Sequence, residues 1–108
     1  MIVIIRSKAD DLTLKKTAED LQGYVKVVVD IRKEILAAGG KLHAEAEAVM
    51  LKDGSHREDL WGGGIDLETN DLDFDSMINI RPGKNNSREV LDQNIRGAME
   101  RMIRKLLR

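Results

Sequence analysis

Cysteine is absent from the 108-residue chain, so neither a disulfide framework nor a thiolate metal site can form. That absence suits a reducing compartment, and the cytoplasm is the expected location. Aromatic residues are limited to Tyr24, Trp61 and Phe74. Domains that stack single-stranded bases on a sheet need several aromatics on one surface, so a nucleic-acid partner is not expected. Long apolar runs are missing too. Met1-Ile-Val-Ile-Ile-Arg6 reaches a charge at once, short of a signal sequence and far short of the ~18 apolar residues of a membrane span. No membrane partner is expected. No repeat, low-complexity tract or linker divides the chain, and its length suits one domain, residues 1–108.

What is present is charge, unevenly spread. The net charge of −1 names no partner class. Residues 53–75, however, hold eight acidic groups and one basic, whereas residues 76–108 hold eight basic and three acidic. Such asymmetry marks an interaction surface or two segments that complement each other.

Hydrophobic spacing gives the elements. Ile2 to Ile5 reads as a short buried strand. Leu14, Ala18 and Leu21 share one face of a helix over about Thr13 to Gln22, with Asp10, Asp11 or Thr13 as cap and Gly23 past its end. Tyr24 to Ile31 and Ile35 to Ala38 read as strands around a tight turn. Leu42 to Leu51 fits both periods. Its strict alternation and the following Asp53-Gly54 favour a strand, although alanine and glutamate are strong helix formers. Leu60–Glu68 and Leu72–Arg81 read as the arms of a hairpin ended by Pro82. Asp92 caps a last helix, about Gln93 to Leu107, with Ile95, Met99, Met102, Ile103 and Leu106 as its buried stripe. The expected fold class is α+β: a mostly antiparallel sheet of five to six strands with two helices on one face, in the order β-α-β-β-β-β-β-α.

Several segments carry a resemblance. They are Val25–Ile31, Gly40-Lys-Leu-His-Ala-Glu45, the Leu60-Trp-Gly62 motif, and Ile78-Asn-Ile-Arg-Pro82 with Asn86-Ser87. Through them the chain resembles, over nearly its whole length, a family of short prokaryotic proteins catalogued as a domain of unknown function. The resemblance implies one intact domain and assigns no activity.

Candidate chemistry falls in five places. The segment Asn79–Arg88 gathers Arg81, Lys84 and Arg88 with Asn86 and Ser87, a composition that binds anions through guanidinium forks and free amides; it also reads as a solvated turn. Trp61 with Gly62, Gly63 and Gly64 offers a pocket wall beside a backbone that a ligand could approach, or a core aromatic beside a bulge. Asp66, Glu68, Asp73 and Asp75 would share one face of the hairpin, close enough for a hard cation or simply exposed. His43, Glu45 and Glu47 could serve acid–base chemistry or a metal. The basic face of the last helix, Arg96 to Arg108, reads as solvated.

The leading expectation is a small non-enzymatic binding or interaction domain that contacts an anionic ligand through Arg81, Lys84, Asn86, Ser87 and Arg88, with Trp61 and Gly62 beside them. No cofactor is implied. A small metal-dependent or acid–base hydrolase using His43, Glu45 and the acidic hairpin (Asp66, Asp73) is the alternative, and a structural subunit of a homo-oligomer is a third. Open sheet edges make a dimer the expected assembly.

Overall fold

Strong β-formers in the first two-thirds of the chain build most of the sheet, and the computed structural model describes it together with all other residues, 1–108. The strands are β1 (Val3–Ile5), β2 (Tyr24–Asp30), β3 (Ile35–Ala38), β4 (Leu60–Asp66) and β5 (Leu72–Asp73). The helices are α1 (Asp11–Ala18), α2 (His43–Lys52) and α3 (Gln93–Leu106). The fold is α+β, and the sheet is antiparallel throughout in the order β1-β3-β2-β4-β5. No helix is long and apolar enough to cross a membrane.

The central strand β2 explains the layering. Val25, Val27 and Val29 are fully buried on one face, and Val28 is fully buried on the other. A strand apolar on both faces needs cover on both. The larger core joins Val25, Val27, Val29, Leu36, Trp61 and Ile65 to Leu14 of α1 and to Met99, Met102 and Ile103 of α3. The smaller core sets Val28, Ala37 and Leu60 against Ala46 and Met50 of α2. Helices therefore cover both faces, not one, and they number three rather than two.

The extra helix is the segment Leu42–Leu51, expected as a strand. His43, Ala46 and Met50 are its buried residues, a helical spacing. The alternation of alanine and glutamate that mimicked a strand is made of good helix formers, and one methyl-sized residue in four suffices to pack on Val28. Asp53-Gly54 stops this helix instead of turning a hairpin. Gly54 has φ +105° and donates its N–H to Leu51 O, while Ser55 donates to Met50 O; this is a Schellman cap. The first helix is also shorter than expected: α1 ends at Ala18 and a 3₁₀ turn, Glu19–Leu21, follows. The expected aspartate caps do form, Asp10 accepting from Thr13 N and Asp92 from Asn94 N and Ile95 N.

The second hairpin arm is likewise mostly not strand. Only Leu72–Asp73 pairs with β4; Met77–Asn79 is a 3₁₀ turn, and the chain to Val90 folds back over β4. Two buried asparagines replace the missing ladder. Asn79 accepts from Gly62 N through Oδ1 at 2.8 Å and donates from Nδ2 to Gly62 O, Phe74 O and Arg88 O. Asn85 donates to Asn79 O, Ser87 O and Glu89 O and accepts from Leu91 N. The Asn79 amide thus acts on Gly62 as a neighbouring strand would.

Candidate functional site

The site begins with the three glycines of β4. Gly62 and Gly64 lie on the α2 face of the sheet, which Leu60 shares, and each has a neighbour where a side chain would be. A Cβ on Gly62 would stand 2.6 Å from Ser76 Cβ and 3.2 Å from His43 Cδ2. A Cβ on Gly64 would overlap the Tyr24 hydroxyl. On this face α2 covers Val28, Ala37 and Leu60 and stops short of Lys26, which pairs across to Gly64. The result is a cleft of about 300 Å³ bordered by Lys26, the first turn of α2 (Leu42, His43, Ala44), Ser76–Ile78 and Arg88, with Gly62 lying beneath its Ser76 and His43 walls.

Its polar groups are defined one by one. His43, 8% exposed, donates from Nε2 to Gly63 O at 2.7 Å, because a carbonyl oxygen can only accept. Nδ1 is then an unprotonated acceptor with no partner in the chain. It keeps access to solvent, since Trp61 Nε1 is the sole enclosed side-chain nitrogen or oxygen without a partner. Leu42 supplies no side-chain cap to α2, and the amides of His43 and Ala44 find no acceptor in the chain. Lys26 is half-buried and forms no ion pair, whereas Arg88 is bound through Nε to Asp75 at 2.9 Å. Tyr24 reaches over Gly64 to donate to Asp73 Oδ2 at 2.5 Å. Burial, with Asp73 accepting that bond, pushes the Tyr24 phenol above its ordinary range.

Burial also pulls His43 below the ordinary imidazole range, with Lys26 adding to the effect and the Gly63 carbonyl, Asp73 and Asp75 opposing it. The unfolded chain therefore takes up this proton first as pH falls. Stability contributed by the neutral ring is present above about pH 6.5 and declines from there down to the folded-state pKa, below which it no longer changes. Urea unfolding at pH 7.5 and 5.5 tests this: the loss on acidification should be smaller in His43→Gln than in the wild type, after which an equal loss in both would remove His43 as the source.

The expected anion-binding segment is split by the structure. Arg88 borders the cleft. Arg81 instead turns into its own chain, donating to Glu58 O and Leu60 O and stacking 3.8 Å above the Trp61 ring. Lys84 is exposed on the outer turn; Asn86 Oδ1 accepts from Gly83 N, and Ser87 Oγ accepts from Glu89 N. Trp61 is 1% exposed and lines no cavity, so it is a core residue, and Gly62 lies beneath Ser76 and His43 rather than facing a ligand. Arg81→Lys should cost about 1–2 kcal/mol in urea unfolding through loss of the fork and the stacked plane, with anion titrations at the cleft unchanged.

The acidic group is dispersed, which corrects the shared face expected of the hairpin. Asp66 closes its own turn by accepting from Glu68 N and Thr69 N. Asp73 is taken by Tyr24, and Asp75 by Arg88. Glu68 lies on the exposed turn. Glu45 is exposed on α2, and Glu47 faces Arg57 at 3.9 Å. No three His, Asp or Glu side chains converge as a metal site would require, so His43, Glu45, Asp66 and Asp73 do not form one. Lys26 was missed as a site residue. A lysine between valines was its only mark, and its meaning depends on Gly64 standing opposite.

This chain belongs to the family described as "protein of unknown function (DUF5674)", which it matches over residues 3–106, from the first residue of β1 to the last of α3. No curated protein and no solved structure matches it.

Proposed function

We propose that the domain is a small binding module for an anionic ligand held in the cleft at the first turn of α2. The observation that carries this reading is the convergence of unsatisfied positive groups. Lys26 has no carboxylate partner, two amides of α2 have no acceptor, and Arg88 has its terminal guanidinium nitrogens unbonded. A helix start without a side-chain cap carries about half a positive charge and aims its N–H groups outward, the usual ground for anion binding. The second support is His43, nine-tenths buried yet with a free nitrogen at the same place. The part of the segment 79–88 retained in this reading is Arg88; the other contacts come from β2 and α2.

Titration with acetate, phosphate and citrate at moderate salt, followed by amide shifts, tests the reading. Saturable shifts are expected at His43, Ala44 and Arg88. Lys26→Met should weaken the binding about tenfold, as expected for a half-buried charge-assisted bond, while Lys84→Met on the outer turn should not. Absence of saturable shifts with every anion would end the proposal.

A further inference from the structure

The cleft restricts the kind of anion it can accept, and this step rests on the anion-binding reading above. Lys26 and Arg88 are its cations, and Asp73 stands beside them, bound by the Tyr24 hydroxyl that covers Gly64 opposite Lys26. Asp75 is already paired with Arg88. The four groups are neutral as a set, leaving only the partial charge of the α2 start. A monoanion fits that balance; a phosphate dianion would face two carboxylates with nothing to offset its second charge. His43 adds a different demand. Its Nε2–H is spent on Gly63 O, so the Nδ1 of this cleft-lining residue is an acceptor without a partner and calls for a donor on the ligand. The rim makes the third demand. Leu42 is 59% exposed and Met77 64% exposed, with Ile78 half-buried between the cleft and its neighbour. Large exposed apolar side chains clustered at the mouth of a cleft gain by covering an apolar group.

We infer that the ligand is a monocarboxylate with a hydrogen-bond donor on the carbon next to the carboxylate and an apolar substituent, the chemistry shared by apolar α-hydroxy acids and by the C-terminal residue of a peptide. The carboxylate sits at Lys26 and the amides of His43 and Ala44. The neighbouring O–H or N–H donates to His43 Nδ1. The apolar group lies on Leu42 and Met77.

The full chain is titrated with acetate, isocaproate, α-hydroxyisocaproate, N-acetyl-leucine and inorganic phosphate, and with a tripeptide ending in leucine as free acid and as amide. The expected order is α-hydroxyisocaproate and N-acetyl-leucine tightest, at least about fivefold ahead of isocaproate, the worth of one well-made hydrogen bond. Isocaproate should lead acetate, and phosphate should trail the carboxylates that carry the donor. Leu42→Ser combined with Met77→Ser, both at exposed positions, should erase the lead of isocaproate over acetate. The free-acid tripeptide binding tighter than N-acetyl-leucine, with loss on amidation, assigns the chain-end source; equal binding of the two assigns the small acid. Isocaproate equal to its hydroxy relative, or phosphate tightest of all, overturns this inference and leaves a general anion site. No saturable shift with any of these compounds overturns the anion-binding reading itself.

Discussion

Replacing Asn79 by alanine should lower the unfolding free energy by about 3–5 kcal/mol, a large share of the roughly 5–15 kcal/mol typical of a domain. The side chain is fully buried and makes four hydrogen bonds, all to backbone. Alanine would leave Gly62 N–H and Gly62 O without that partner, while Phe74 O and Arg88 O keep the amides of Val90 and Ser76, and water cannot enter without opening the segment over β4. The size of the effect comes from those stranded groups, since a hydrogen bond in place is worth only about 1 kcal/mol net. Asn79→Asp keeps the shape but turns the donor into an acceptor facing Gly62 O, Phe74 O and Arg88 O, so it should be at least as damaging. Urea unfolding of both variants measures this, with a loss under 1 kcal/mol counting against the assignment. The consequence reaches the cleft, because the segment pinned by Asn79 delivers Ser76 and Arg88 to it. A variant still folded in part should show weaker shifts at Arg88 than at Ala44 in an anion titration.

How far the sequence foretold this can be judged from particular residues. The valines of β2 and the stripe of α3 were legible because one period alone fits each of them. Asp92 was legible as a cap, and Asp10 as one of three candidates with Asp11 and Thr13, because a short carboxylate before an apolar period has few other uses. Leu42–Leu51 was not, since an alanine at every second position satisfies the strand and helix periods together, and Asp53-Gly54 ends either. Leu72–Arg81 failed for another reason. Its alternation is real, but Asn79 uses side-chain bonds to do what a ladder would do, and side-chain bonds to distant backbone leave no periodic trace. The cleft was half-legible. His43 and Arg88 stood out by type, while Lys26 acquires its role only from Gly64 across the sheet, a pairing that lies 38 positions away in the chain.

Gly63→Ala is expected to cost about 3 kcal/mol, the upper part of the usual range for overpacking, and more than the same change at Gly64. The three glycines of β4 face different obstacles. At Gly63 the added methyl would overlap the Asp73 carbonyl oxygen and stand 3.4 Å from Met99 Cε. The obstacle is backbone of β5 on one side and packed core on the other, so neither can swing away. Relief requires β5 to move from β4, breaking the Gly64–Asp73 and Ile65–Leu72 pairing. At Gly64 the obstacle is the Tyr24 hydroxyl, the end of a half-buried side chain that can rotate outward at the cost of its bond to Asp73. Gly62 is intermediate, because its obstacle, Ser76 Cβ, belongs to the segment that Asn79 holds down. Unfolding free energies should thus fall in the order Gly64→Ala, Gly62→Ala, Gly63→Ala, from the smallest loss to the largest. Equal losses at all three would mean that the residues act through chain entropy, the shared property of glycine, rather than through the close approach of the segment that walls the cleft.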